Sequence, residues 1–130
     1  TEVFNNVLEA YRLSVKTKKQ ELYKEKSILD AIKAAIDIPF KIMICCHEIL
    51  NCISKVIING NPNAISDAGV AAEMAYAGLR GAILNIEINL KDINDKDYSN
   101  NLNKRIKKYL SKSEKQLINI RKIVQKKIYD

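Results

Sequence analysis

Apolar positions recur at helical spacing over nearly the whole chain, and the breaks between runs are short. Residues 2–13 carry Val3, Phe4, Val7, Leu8 and Tyr11 at that spacing, and residues 14–17 interrupt it. Over residues 18–59, Leu22, Leu29, Ile32, Ile36, Pro39, Met43, Cys46, Leu50, Ile53 and Ile57 form one inward line. Pro39 lacks a backbone N–H, so this run predicts either one kinked helix or two, with the break near residues 36–39. Asn59, Gly60 and Asn61 supply the stop, with Gly60 expected as a left-handed cap. Asp92, Asn94 and Asp95 mark a further turn. A last helix over residues 96–129 aligns Tyr98, Leu102, Ile106, Tyr109, Leu117, Ile120, Val124 and Ile128.

The stretch 59–93 departs from simple amphipathic patterning. Asn61, Pro62 and Asn63 read as a turn, and Ser66 and Asp67 follow where a helix has free N–H groups and a positive dipole end. At 100° per residue, Ile65, Gly69, Ala72, Tyr76, Leu79, Ile83, Ile86 and Leu90 make an ordinary core stripe. Ser66, Val70, Glu73, Ala77, Arg80, Leu84, Glu87 and Lys91 make a solvated flank. A third stripe is Ala64, Ala68, Ala71, Ala75, Gly78, Ala82, Asn85 and Asn89. Its small side chains admit another backbone at close range, and it ends in two amides that an apolar core would not choose without partners. A homodimer packed antiparallel along this stripe is the expected use.

Four or five long helices in one all-α bundle follow from these runs, with residues 1–130 as a single domain. Hydrophobic residues make up 47% of the 130, enough for a real core. Two prolines and four glycines leave few turns, which disfavours many short strands. The longest nearly apolar run, residues 42–46, is far too short to cross a bilayer, and no membrane association is expected. Three cysteines, two adjacent, do not form a disulfide framework, so a reducing cytoplasm is the expected setting.

Charge is uneven. Residues 91–130 hold twelve Lys/Arg against five Asp/Glu, which equals the net charge of +7 of the whole chain. A polyanion surface, for nucleic acid or a polyglutamate tail, is one reading. A solvated helix face is the favoured one, because no aromatic interleaving or nucleic-acid motif accompanies the lysines. Nucleic acid is not expected as a partner.

Candidate chemistry is sparse. His47 is the only histidine, lies beside the inward line, and reads as structural. Cys45, Cys46 and Cys52 lack metal-ligand spacing, since adjacent helical residues diverge by about 100°. Asn61, Asn63, Asp67, Asn85 and Asn89 remain. They suit capping and buried amide hydrogen bonds, or else the donors and acceptors of a flat polar heterocycle. Asp67 and Asn85 stand eighteen residues apart, about 27 Å along one helix, so one small ligand would need a partner chain to meet both.

The segments GNPNAISDAGVAAE and LRGAILNIEINLKDI resemble the cyclodeaminase part of formiminotransferase-cyclodeaminase and the related methenyltetrahydrofolate cyclohydrolases. EVFNNVLEAYRL resembles the Phe-x5-Ala-x-Arg-Leu segment of that family, and AAIDIPF its Ala-x3-Pro segment. The family usually has a proline where this chain has Ser14 and Val15. The resemblance implies a tetrahydrofolate carrying a one-carbon unit as substrate, with no metal and no cofactor beyond that substrate. It implies either cyclodeamination of 5-formiminotetrahydrofolate or hydrolysis of 5,10-methenyltetrahydrofolate, without choosing between them. An inactive helical interaction module of the same fold is the alternative. The family's proposed acid/base carboxylate precedes the matched phenylalanine by four residues, so with Phe4 in that place it falls before Thr1. A Gly-rich helical segment lies further upstream in relatives. Residues 1–130 alone are therefore expected to turn over little, with the catalytic residue unassigned.

Overall fold

The computed structural model describes residues 2–129. Four helices run in chain order: α1 (Glu2–Arg12), α2 (Lys18–Asn59), α3 (Ile65–Leu90) and α4 (Lys96–Tyr129), with a single 3₁₀ turn at Pro62–Ala64. No strand occurs among the described residues. The all-α bundle read from the sequence is therefore the fold, at the lower helix count. No helix among those residues is long and apolar enough to cross a membrane.

α2 starts at a capping box. The Thr17 hydroxyl accepts from the Gln20 N–H at 3.3 Å, and the Gln20 side chain accepts from the Thr17 N–H at 3.2 Å. The helix then runs unbroken through Pro39, so of the two expected arrangements the single helix is the one formed. Burial on both sides of the proline, at Ile36, Phe40 and Met43, ties the two halves to the same neighbours. Fully burying one such side chain is worth about 1.5–3 kcal/mol, enough to offset one lost backbone hydrogen bond.

The end of α2 is also built differently from the expectation. Gly60 is not left-handed; it is extended, with φ −76° and ψ 176°. The carbonyls of Ile57 and Ile58 instead accept from Lys127 Nζ, each at 3.0 Å. Glycine is needed at position 60 for space, since a Cβ there would stand 2.5 Å from the Val56 carbonyl oxygen. The next turn is held by Asn61, whose Oδ1 accepts from the Asn63 N–H at 3.0 Å. Ser66 and Asp67 provide no cap; Ala64 holds the N-cap position of α3 without a side-chain bond. Before α4, Asp95 Oδ1 accepts from the Tyr98 N–H at 3.0 Å, and Asp95 Oδ2 pairs with Lys33 at 3.1 Å.

α2, α3 and α4 pack together around two apolar clusters, one including Ile36, Met43, Leu79, Ile86 and Ile106, the other Leu50, Ile57, Ala72, Leu117 and Ile120. The core stripe of α3 is where the spacing placed it, with Ala72, Leu79, Ile83 and Ile86 buried. The flank is exposed throughout. The small-residue stripe is indeed a close-contact face, yet α2 of the same chain occupies it. A Cβ on Gly78 would lie 3.0 Å from Cys46 Sγ, and Ala75 and Ala82 are buried. That stripe is thus not available to a second copy. Gly69 serves α4 in the same way, with an added Cβ 3.3 Å from Val124.

Leu22 departs from the inward line and is exposed, as is Ile128 near the end of α4. α2 spans about 63 Å and α3 about 39 Å. With Cys46 beside Gly78, the first four turns of α2 extend past the end of α3.

Candidate functional site

The five predicted polar residues fall into two groups at opposite ends of α3. Asn61, Asn63 and Asp67 are exposed around its start. Asn61 spends its side-chain oxygen on the local turn. At the other end Asn85 is exposed, and the half-buried Asn89 donates from Nδ2 to the Asn85 carbonyl at 2.7 Å. That bond lies within one helix, so it answers part of the question of what an amide does there. The structure does not bring the two groups together; α3 holds them about 27 Å apart.

A second polar locus was not legible in the sequence. Between α2 and α4 lies a groove of about 630 Å³, lined by His47, Asn51, Arg105, Lys108, Lys112 and Lys115, among others. His47 is buried, as its place beside the inward line implied. Its Nδ1 lies 2.9 Å from the hydroxyl of the fully buried Ser113, and its ring meets Tyr109 edge-on at 5.1 Å. Burial pushes the His47 pKa down; Glu48 opposes that and Lys112 adds to it. The bond joins residues 66 positions apart. Helical periodicity cannot reveal such a pair, although a serine within the apolar line of α4 was a weak signal.

Four cations crowd this groove against the single carboxylate of Glu48, which makes it a positively charged concavity. Beside the α3 start, a smaller groove of about 490 Å³ contains Ser66, Gly69 and Val124, with Glu73 closing one side through a bidentate pair to Arg121 at 2.6 and 2.7 Å. Among the described residues no three His, Cys, Asp or Glu side chains gather to hold a metal ion.

The family described as formiminotransferase-cyclodeaminase matches residues 1–108. The methenyltetrahydrofolate cyclohydrolase of Methylorubrum extorquens is 39% identical over 98 residues, covering 75% of this chain and 47% of that one. The formimidoyltransferase-cyclodeaminase of Gallus gallus is 24% identical over 114 residues, covering 88% of this chain and 21% of that one. The chain thus spans about half the length of the curated cyclohydrolase and about a fifth of the bifunctional protein. Among solved structures, the formiminotetrahydrofolate cyclodeaminase of Thermotoga maritima superposes with a TM-score of 0.71 at 26% identity, covering 97% of this chain and 57% of that one.

Proposed function

The chain belongs to the formiminotransferase-cyclodeaminase family, and from that premise we propose that it works in folate one-carbon chemistry, as a methenyltetrahydrofolate cyclohydrolase or a formimidoyltetrahydrofolate cyclodeaminase. The observation that carries the reading is the family match over residues 1–108, which takes in the Asn61–Asp67 turn and the Asn85 and Asn89 amides. Both reactions pass through a tetrahedral carbon between two nitrogens. Each needs a group to move protons and a negative surrounding for an amidinium-like cation. Asp67, exposed in the first turn of α3, supplies negative charge; the catalytic acid/base stays unassigned and, by resemblance, lies outside the described residues. The amides of Asn63, Asn85 and Asn89 offer donors and acceptors to a pterin edge. The basic groove beside His47 suits the carboxylates at the glutamate end of a folate. Three unpaired thiols fit a cytoplasmic setting.

The second reading, a helical module of this fold without turnover, is favoured by the separation of the polar residues to opposite ends of α3. Titration with 5,10-methenyltetrahydrofolate, followed by methenyl absorbance against the non-enzymatic rate, tests both. Turnover above that rate, lowered by Asp67→Asn, supports the enzyme. Saturable binding that stays without turnover even when the upstream segment found in relatives is joined to the chain supports the module. Neither binding nor turnover would overturn the folate reading.

A further inference from the structure

Several cations of the bundle serve its structure. Lys33 pairs with Asp95, Lys41 with Asp37 and Arg121 with Glu73. Lys24 Nζ donates to the Leu13 carbonyl, and Lys127 Nζ to those of Ile57 and Ile58. Arg105, Lys108, Lys112 and Lys115 form no ion pair among the described residues, yet all four line the groove between α2 and α4. Steps of three, four and three set them along one side of α4, over about 15 Å of helix. Like charges at those steps repel one another, so the row costs the helix stability. Arg105 is anchored at one end of it, its guanidinium carbon 4.3 Å from the centroid of the Phe40 ring. The one carboxylate of the groove is engaged elsewhere. Glu48 Oε2 accepts from Asn51 Nδ2 at 3.2 Å, and Asn51 Oδ1 accepts in turn from Gln116 Nε2. A groove whose cations repel and lack a protein counterion is built for an anion from outside.

We propose that this groove binds a linear oligophosphate, either inorganic or the phosphate chain of a nucleoside triphosphate. Four cations less one carboxylate leave a net charge of +3 on a groove of about 630 Å³. The glutamate end of a folate brings two carboxylates on separate carbon arms, which leaves part of that charge unanswered. A chain of phosphoryl groups carries negative charge on every unit and packs it into a short length. Each unit also offers several acceptor oxygens to charged donors. The planar fork of Arg105, held over Phe40, suits two oxygens of one phosphoryl group. Lys108, Lys112 and Lys115 act as point charges on long stems and can converge on the rest of the chain.

None of the five polar residues at the ends of α3 lines this groove. The inference therefore goes beyond the folate reading and does not depend on it. His47, the one histidine of the chain, does line the groove and reports on its occupancy. Its ring resonances should shift when an anion settles beside Lys112, and no other histidine overlaps them.

Titration calorimetry with tripolyphosphate on the whole chain, in magnesium-free buffer at about 150 mM salt, tests it. The His47 ring signals are followed by NMR in parallel. The expected result is saturable binding with a shift of those signals. Lys108→Gln combined with Lys112→Gln should weaken it about tenfold or more. Both positions are exposed, so the double variant should keep its helicity, and without ligand it should melt slightly higher as the repulsion is relieved. Lys104→Gln combined with Lys107→Gln removes the same charge from residues of α4 that do not line the groove, and should change affinity less than twofold. ATP binding more tightly than tripolyphosphate assigns the nucleotide; equal affinity assigns the phosphate chain alone. Absence of saturable binding overturns the proposal. So does equal loss in both double variants, which marks diffuse attraction to a basic helix. Penta-γ-glutamate binding as tightly as tripolyphosphate overturns the phosphate assignment and leaves the groove to carboxylates.

Discussion

His47 Nδ1 and Ser113 Oγ lie 2.9 Å apart, both side chains buried, at the level where one apolar cluster of the bundle gives way to the other. Met43 and Leu50 stand one turn either side of His47, and each belongs to a different cluster. The pair fixes the register of α2 against α4 at a place where apolar packing alone would tolerate sliding.

That bond predicts a pH effect on stability. Burial holds the His47 pKa below its ordinary value, so between the two values the unfolded chain binds a proton that the folded chain does not. The stability associated with neutral His47 is full above about pH 6.5 and is lost as the pH falls through the folded value. Lys112 adds to the disfavour of a charged ring, and Glu48 opposes it. Melting temperatures of wild type and His47→Gln, measured from pH 8 to 5, should diverge by a slope present only in wild type. Parallel curves would exclude His47 as the source.

Gly78 sets the distance between α2 and α3. Gly78→Leu should cost about 1–3 kcal/mol in urea denaturation, as overpacking does. Gly78→Ala should cost less, and much of that cost should vanish in a Cys46→Ala background, because the added methyl would otherwise sit 3.0 Å from Cys46 Sγ. Additive effects of the two changes would remove the contact as the cause.

Lys127 closes α2 from a distance of 70 residues. Lys127→Met keeps the length of the side chain and removes its donors. Stability should fall by about 1 kcal/mol, a modest loss because one of the two carbonyls is exposed. Lys126→Met serves as the control and should change stability by less than half as much.

Asn85 and Asn89 predict separable effects. The Asn89 amide is bound to the carbonyl of its own helix, one turn back, so Asn89→Leu should shift the melting temperature little. If it weakens binding of 5,10-methenyltetrahydrofolate as much as Asn85→Leu does, the amide leaves that carbonyl for the ligand. Unchanged affinity in both variants would remove this end of α3 from the proposed pocket.

Local chemistry carried most of what the sequence revealed. Helix boundaries, the core stripe of α3 and its close-contact face follow from repeats within one element, and the Asn61 turn from three adjacent residues. What escaped depends on pairs far apart in the chain. Lys127 takes over the capping expected of Gly60, and Ser113 meets His47 across the bundle. Periodicity identified the face of Gly78 as tight but not its occupant, which is α2 rather than a second copy. Leu22 fits the inward line by spacing and is exposed, because α3 does not extend that far along α2. Asp67, Asn85 and Asn89 lie on α3 and Asn61 and Asn63 in the turn before it, but a single straight helix cannot bring its two ends to one ligand.

The overhang of α2 divides that helix into two regimes of solvent protection. Around Met43 and Leu50 its amide protons are covered by α3 and α4, and they should exchange with deuterium only when the whole bundle opens. Toward Lys18 the shielding comes mainly from α1, of which Ala10 alone is buried among the described residues. Amides there should exchange by local fraying, orders of magnitude faster, although the capping box at Thr17 and Gln20 delays the first turn. One uninterrupted helix would then report two separate opening free energies, with the boundary near Ile32, where burial begins.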